Sequence, residues 1–229
     1  MFSVMKVLVT GGAGFIGSWL VDELIKESHH AVIVDNLSTG KKNNINIEAI
    51  FYDVNICNQE ALQLIFEKEK PDIVFHLAAN SLLRKSIDDP INDAYTNIIG
   101  TISVLEACRK NSVQKIIFIS TGGARVGNPH YLPVDEKHPL NPCSPYGISK
   151  HTGEHYVWMY NQLYGLDYLI FCFGNVYGPR DLPESRRIIP LFFDKIIHGE
   201  TALVFGDGEQ TRDFIYVQEL TCFIAENFL

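Results

Sequence analysis

Three glycines, Gly11, Gly14 and Gly17, close an apolar run near the start of the chain. The run predicts a strand, and the apolar pattern of residues 19–26 predicts a helix directly after the glycines. A strand, tight turn and helix in this order present backbone N–H groups and the positive end of a helix to an anion such as a pyrophosphate. Asp35 ends the next apolar run, where a carboxylate would accept hydrogen bonds from a ribose 2′-hydroxyl. Because this carboxylate would repel a 2′-phosphate, the pattern predicts NAD rather than NADP.

A tyrosine and a lysine four residues apart, Tyr146 and Lys150, have the side chains for proton transfer. Pro145 predicts the start of a helix, since its missing N–H costs nothing there, and the two side chains would then share a face. A nearby ammonium favours a phenolate, so we expect Lys150 to lower the pKa of Tyr146. Tyr146 would exchange a proton with a sugar hydroxyl, and Lys150 would also hydrogen-bond the nicotinamide ribose.

Short apolar runs alternate with helical patterns along most of the chain. Strands are expected at residues 6–10, 31–35, 47–52, 73–77, 115–120 and 168–172, and helices at 58–70, 90–110, 145–164 and 218–229. This alternation predicts an α/β fold with a doubly wound parallel sheet and right-handed crossovers. Ligands bind such sheets at the carboxyl ends of the strands. We expect residues 1–173 to form the NAD-binding domain and residues 174–229 a partial substrate-binding region.

Composition excludes several classes of protein. The net charge of −8 argues against nucleic acid or an anionic membrane as a partner. No apolar run approaches the roughly 20 residues that span a bilayer, and residues 1–6 lack the features of a signal peptide. We therefore expect a cytoplasmic location. The five cysteines are scattered and odd in number, which predicts free thiols.

A further pattern, His151-Thr-Gly-Glu-His155, matches the H-x-x-E-H arrangement of some zinc proteases. Both histidines could share one helix face. No third ligand is evident, however, and the pattern overlaps the helix of Tyr146 and Lys150. We interpret these histidines as solvated or facing a dimer partner, and we expect no metal site.

Taken in order, these motifs resemble the NAD-dependent epimerase/dehydratase family, a branch of the extended short-chain dehydrogenases/reductases, and within it the UDP-glucose 4-epimerases. The resemblance rests on the glycine loop, on Tyr146 and Lys150, and on residues 34–40, 53–54, 76–79, 97–101, 120–124, 173–180 and 206–214.

The resemblance implies a Rossmann-like sheet with a small, incomplete C-terminal substrate lobe, and NAD as cofactor. It implies oxidation of a nucleotide sugar, with a UDP-hexose the expected substrate, at C4 to a 4-keto sugar and return of the hydride to the other face. The implied catalytic residues are Tyr146, Lys150 and Thr121. It also implies a homodimer through the helices near residues 93–110 and 145–164.

Implied ligand contacts come from the glycine loop, the strand ends and the catalytic helix. Those to NAD are Gly11, Gly14, Phe15, Ile16, Gly17, Asp35, Asn36, Ser38, Thr39, Gly40, Asp53, Val54, Leu77, Ala78, Ala79, Asn97, Ser120, Tyr146, Lys150 and Phe173. Those to the substrate are Ser81, Gly122, Asn175 and Arg212.

The chain departs from the family pattern near the implied catalytic site. Gly122 stands where the family usually carries Ser or Thr, and we expect the hydroxyl of Thr121 or a water molecule to substitute. Gly123 and Ala124 replace the acidic pair that dehydratases need, so sugar dehydration is not expected. Arg125 either points to solvent or disturbs substrate binding.

The chain also ends at Leu229, within a helix-like run and before the last part of the family pattern. We therefore expect an incomplete nucleotide-sugar pocket and a nearly whole NAD site. Two alternatives stay open: an epimerase or reductase acting on another nucleotide sugar, and a catalytically silent NAD-binding protein.

Overall fold

A six-stranded parallel sheet forms the centre of the computed structural model, which describes residues 4–229. The strand order is β3-β2-β1-β4-β5-β6. The strands are β1 (Lys6–Thr10), β2 (His30–Asp35), β3 (Ile50–Asp53), β4 (Ile73–His76), β5 (Lys115–Ile119) and β6 (Asp167–Phe171). Successive strands are added in one direction from β1 to β3 and in the opposite direction from β4 to β6. Doubly wound sheets bind ligands in the crevice at such a point, here between β1 and β4.

Helices cover both faces of the sheet. They are α1 (Phe15–Lys26), α2 (Gln59–Glu69), α3 (Leu83–Asp88), α4 (Pro90–Ala94), α5 (Gly100–Lys110), α6 (Gly122–Val126), α7 (Pro145–Tyr164), α8 (Ile188–Ile197) and α9 (Val217–Glu226). Buried side chains of α2, α5 and α7 form one apolar core against the sheet, and those of α1 and α9 form the other. The predicted α/β doubly wound sheet is confirmed.

The observed elements differ from the predicted ones in the third strand and in the helix predicted at 90–110. The third strand begins at Ile50 rather than at residue 47, because Asn46 accepts a hydrogen bond from the Glu48 N–H and turns the chain first. The helix predicted at 90–110 is interrupted by a π-helical turn, Tyr95–Ile99.

Elements missed by sequence reasoning lie mostly in the last third of the chain. They include α6, α8 and a small parallel pair, β7 (Asn175–Tyr177) and β8 (Phe214–Tyr216). The strands of this pair have only three residues each, too few for a periodic signal. The boundary at residue 173 between two domains stays a prediction.

Within residues 4–229, no helix combines the length and the apolar character needed to cross a membrane.

Candidate active site

The glycine loop joins β1 to α1 and has no room for side chains at two positions. Gly11 has a φ of +73°, and a Cβ there would lie 2.7 Å from the backbone nitrogen of Ala78. A Cβ on Gly17 would lie 2.1 Å from the carbonyl oxygen of Gly11. Gly14 precedes the first turn of α1 and has no side chain to cap it, so the first N–H groups of the helix face an open loop. The loop therefore offers the backbone donors that a pyrophosphate needs.

Asp35 lies at the end of β2, beside this loop. Its carboxylate accepts hydrogen bonds from the N–H groups of Ala13, at 3.0 Å, and Leu37, at 2.8 Å. Asp35 is 8% exposed, and burial raises the pKa of its carboxyl. Each carboxylate oxygen can accept a second hydrogen bond. Two ribose hydroxyls would supply such donors and thereby favour the charged form.

The other predicted NAD contacts surround the same edge of the sheet. Phe15 and Ile16 begin α1, and Asp53 ends β3 as the register partner of Asp35. Val54 follows Asp53, and its N–H donates to the carbonyl of Asp35 at 3.2 Å. The loop after β2 contains Asn36, Ser38, Thr39 and Gly40, of which all but Gly40 are exposed at least in part.

A buried histidine supports the segment after β4. His76 hydrogen-bonds the hydroxyl oxygens of Thr10, at 2.7 Å, and Thr101, at 3.0 Å. Burial lowers the pKa of His76 to about 3, so it is neutral at physiological pH. The Thr10 hydroxyl in turn accepts from the N–H of Ala78 at 3.2 Å. This network holds Leu77 and Ala78 where the cofactor path was predicted.

Asn97 fixes the next part of the same segment from the π-helical turn. Its amide oxygen accepts from the Asn80 N–H at 2.8 Å, and its amide nitrogen donates to the Asn80 carbonyl at 3.0 Å. The same nitrogen donates to Asp93 at 2.9 Å. Asn97 thus positions residue 80, next to Ala79, and its direct contact with NAD stays a prediction.

Tyr146 and Lys150 both lie on α7, which the hydroxyl of Ser144 caps at the N–H of Gly147. The Lys150 ammonium lies 4.1 Å from the ring centre of Phe118, and burial lowers its pKa to about 8. It has no salt-bridge partner among residues 4–229, so its donors are open to a ligand.

Burial raises the pKa of Tyr146 to about 12. The expectation of a lowered pKa is therefore wrong for this structure, because desolvation of the phenolate outweighs the nearby charges. The nearby cation that favours the phenolate is Arg187, and the Thr121 side chain also favours it. That Thr121 replaces the hydroxyl missing at Gly122 stays a prediction.

Glu154 binds residues beside Tyr146 and Lys150, and the sequence analysis did not identify it. It accepts hydrogen bonds from the Ser120 hydroxyl and, at 2.7 Å, from the guanidinium of Arg125. Arg125 thus turns back against α7 rather than to solvent, and an effect on substrate binding stays a prediction. The available signal was the position of Glu154 one turn after Lys150, on the inward face of the helix.

Two further buried carboxylates hold residues of the candidate site in place, and no sequence motif predicted them. Asp93 accepts a hydrogen bond from Ser149 at 2.7 Å and thereby ties α4 to α7. Asp181 binds Arg187 at 2.6 Å, and this guanidinium lies 5.6 Å from the ring centre of Phe15.

Two of the predicted substrate contacts, Asn175 and Arg212, lie by the small strand pair β7 and β8. Asn175 begins β7, and its backbone N–H and side-chain amide both donate to the Asp213 carbonyl, at 3.0 and 3.2 Å. Arg212, next to Asp213, is exposed and donates to the Thr211 carbonyl at 2.7 Å. Pairing of β7 with β8 thus brings residues 175 and 212 together. Ser81 is exposed.

Gly122 and Phe173 contact each other through their backbones. The Gly122 N–H donates to the Phe173 carbonyl at 3.0 Å, and a Cβ on Gly122 would lie 3.0 Å from that oxygen. Whether Gly122 contacts a substrate and Phe173 contacts NAD stays a prediction.

A family model described as the NAD dependent epimerase/dehydratase family matches residues 7–225. The chain belongs to this family. The predicted family and the predicted cofactor, NAD, are confirmed. The glycine loop with its open helix end, together with Asp35, has the shape and donor set that a dinucleotide of this kind requires.

Individual relatives narrow the comparison within this family. A putative UDP-glucose 4-epimerase from Methanocaldococcus jannaschii is 48% identical over 215 residues, which are 93% of this chain and 70% of the relative. The crystal structure of UDP-glucose 4-epimerase from Thermotoga maritima with UDP-glucose has a TM-score of 0.93 and 44% identity, over 95% of this chain and 71% of that one. That of the Thermus thermophilus enzyme with NAD has a TM-score of 0.90 and 38% identity, over 95% of this chain and 72% of that one.

Proposed function

We propose that the chain acts as an NAD-dependent epimerase that interconverts UDP-glucose and UDP-galactose. The observation that carries this proposal is the match to the Thermotoga maritima UDP-glucose 4-epimerase, whose structure holds UDP-glucose. The geometry agrees with it, because Tyr146, Lys150 and Thr121 stand at the sheet edge that the glycine loop also faces.

The reaction requires a base for one sugar hydroxyl. The proton of the 4-hydroxyl passes to the phenolate oxygen of Tyr146 as the C4–H bond breaks, and the same proton returns when the 4-keto sugar is reduced. NAD held by the glycine loop and Asp35 would supply the acceptor, and later the donor, of the C4 hydride. Tyr146 must lose its proton before it can act, and the charge of Arg187 and the nearby Thr121 side chain favour that loss.

Three of the predicted substrate contacts suit the diphosphate of such a substrate. Arg212 is exposed and carries the planar donor fork that binds phosphate oxygens in pairs. Asn175 lies beside it on β7, and Ser81 lies on the segment that Asn97 and His76 support.

A homodimer is part of the proposal. The helical segment from Pro90 to Ile99 exposes Ile91 (82%), Tyr95 (53%) and Ile99 (41%), and α7 exposes Ile148 and Trp158 (51% each). Apolar side chains exposed in this number favour burial against a second copy. A cytoplasmic location stays a prediction.

Tyr146→Phe tests the catalytic assignment. We expect conversion of UDP-galactose to UDP-glucose to fall by about 10²- to 10⁴-fold, because a positioned acid–base group contributes about this much. NAD affinity should be unchanged, and Tyr164→Phe, the same substitution at the exposed end of α7, should retain full turnover.

Other outcomes of this assay distinguish the alternatives. If Tyr146→Phe turned over UDP-galactose as fast as the unaltered chain does, another group would be the base. An unaltered chain that binds NAD but converts neither sugar would be the catalytically silent protein. Turnover of a different nucleotide sugar alone would replace the substrate proposed.

A further inference from the structure

The outer face of α7 carries two histidines that the proposed reaction does not use. His151 and His155 are one helical turn apart, and His155 is exposed. Their Nε2 atoms are 3.3 Å apart, with ring centres 4.6 Å apart. Lys150, which precedes His151 directly, is buried. Neither histidine is among the predicted catalytic or ligand-binding residues, and Glu154 connects the pair to the candidate active site.

The distance between the two Nε2 atoms matches that of two imidazoles bound to one metal ion. Zinc–nitrogen bonds of about 2.0–2.1 Å at a tetrahedral angle place the two nitrogens about 3.3–3.4 Å apart. The two rings share a long hydrogen bond at this distance, and a metal ion would take the place of its proton. The helix thus already holds the two nitrogens at a chelating distance.

A carboxylate lies behind one of the rings. Nδ1 of His151 is buried and has no hydrogen-bond partner within residues 4–229, and it is 3.5 Å from Oε2 of Glu154. Metal-bound histidines usually donate their other ring N–H to a carboxylate, which fixes the ring and strengthens the ligand. Glu154 is itself held by Arg125, so its position is defined.

We propose that His151 and His155 bind one divalent transition-metal ion of the Zn²⁺, Ni²⁺ or Cu²⁺ class through their Nε2 atoms, with Glu154 oriented behind His151. Imidazole nitrogens suit these ions, whereas Mg²⁺ and Ca²⁺ prefer oxygen. Residues 4–229 contain no group of three or more His, Cys, Asp or Glu side chains arranged for a metal. The remaining coordination positions are filled by water or by the same pair of a second copy.

Calorimetric titration of the full chain, without an affinity tag, with ZnCl₂ tests this proposal. We expect saturable binding at one ion per chain, or at one ion per two chains where two copies share it, and no binding of MgCl₂. His155→Gln should weaken zinc binding by at least about tenfold, since it removes one of two ligands. The control His198→Gln removes an exposed histidine from α8's C-terminal end and should bind zinc as the unaltered chain does.

A thermal unfolding series gives an independent readout. Zn²⁺ should raise the Tm of the unaltered chain and of His198→Gln but not that of His155→Gln, because a ligand that binds only the folded state stabilises it. NAD binding should be the same in all three. Absence of saturable zinc binding, or equal affinity in the unaltered chain and His155→Gln, would overturn the proposal.

Discussion

The two sides of the crevice are built differently. On the cofactor side, Asp35 and His76 are buried and bonded to other elements of the sheet edge. On the side predicted to bind the sugar, Asn175 and Arg212 are exposed, and their side chains donate to the backbone carbonyls of Asp213 and Thr211. A site held by buried contacts is organised before its ligand arrives, whereas exposed side chains must be ordered on binding. Substitutions should therefore affect fold and NAD together on one side, and substrate alone on the other.

Gly17→Ala should have the largest effect on the cofactor side. Its Cβ would clash with the Gly11 carbonyl oxygen, and overpacking of this kind costs about 1–3 kcal/mol of unfolding free energy. Because the clash displaces the phosphate loop, NAD affinity should fall at least about tenfold. Gly123→Ala is the matched control, since a Cβ there meets nothing within 4 Å. Calorimetry with NAD and urea unfolding measure both effects, and equal behaviour of the two variants would remove the steric argument.

Asp35→Ala should reduce the preference for NAD over NADP. The carboxylate would accept hydrogen bonds from the ribose hydroxyls of NAD, and hydrogen bonds to a charged group are worth about 1.5–3 kcal/mol. NAD affinity should fall by about tenfold or more, whereas NADP affinity should fall less because the repulsion of its 2′-phosphate is also removed. Direct titration with both dinucleotides provides the measurement. An equal loss for both would contradict the preference inferred from Asp35.

On the sugar side, Arg212→Ala should raise the KM for UDP-glucose about tenfold through loss of charge-assisted hydrogen bonds. NAD affinity should be unchanged, and the unfolding free energy should change by no more than about 0.5 kcal/mol, as for other exposed residues. Arg109→Ala, at the far end of α5, is the control for loss of a partly exposed arginine. An unchanged KM in steady-state kinetics would exclude Arg212 from the substrate site.

Lys150 should make the stability of the folded chain depend on pH. Its pKa is about 8 in the folded chain and 10.5 as an ordinary lysine. Between pH 8 and 10 the unfolded chain binds more protons at this residue than the folded chain, so folding stability should rise with pH. Relative to Lys150→Met, the slope should approach about 1.4 kcal/mol per pH unit. Urea unfolding of both proteins from pH 7.5 to 10 measures it, and a constant difference would show that the buried ammonium is not destabilised.

Much of the cofactor side could be predicted because its signals are local. The glycines, the apolar run before Asp35 and the spacing of Tyr146 and Lys150 each involve neighbours within a few residues. The supporting contacts are remote in sequence: Asp93 meets Ser149 across 56 positions, and Ser120 meets Glu154 across 34. No periodicity links such pairs, so Asp93, Glu154 and Arg187 were missed.

Residue pattern alone determined the order of strands and helices, the phosphate-binding turn and the pair of Tyr146 and Lys150 on one helix. Each of these features depends on backbone preferences over one or two turns of chain. Only the tertiary structure places Arg125 against Glu154 and pairs β7 with β8, which brings Asn175 to the segment of Arg212 and Asp213. It also reversed the expected shift in the pKa of Tyr146. These properties depend on which segments exclude water from one another, and burial is set by the packed chain as a whole.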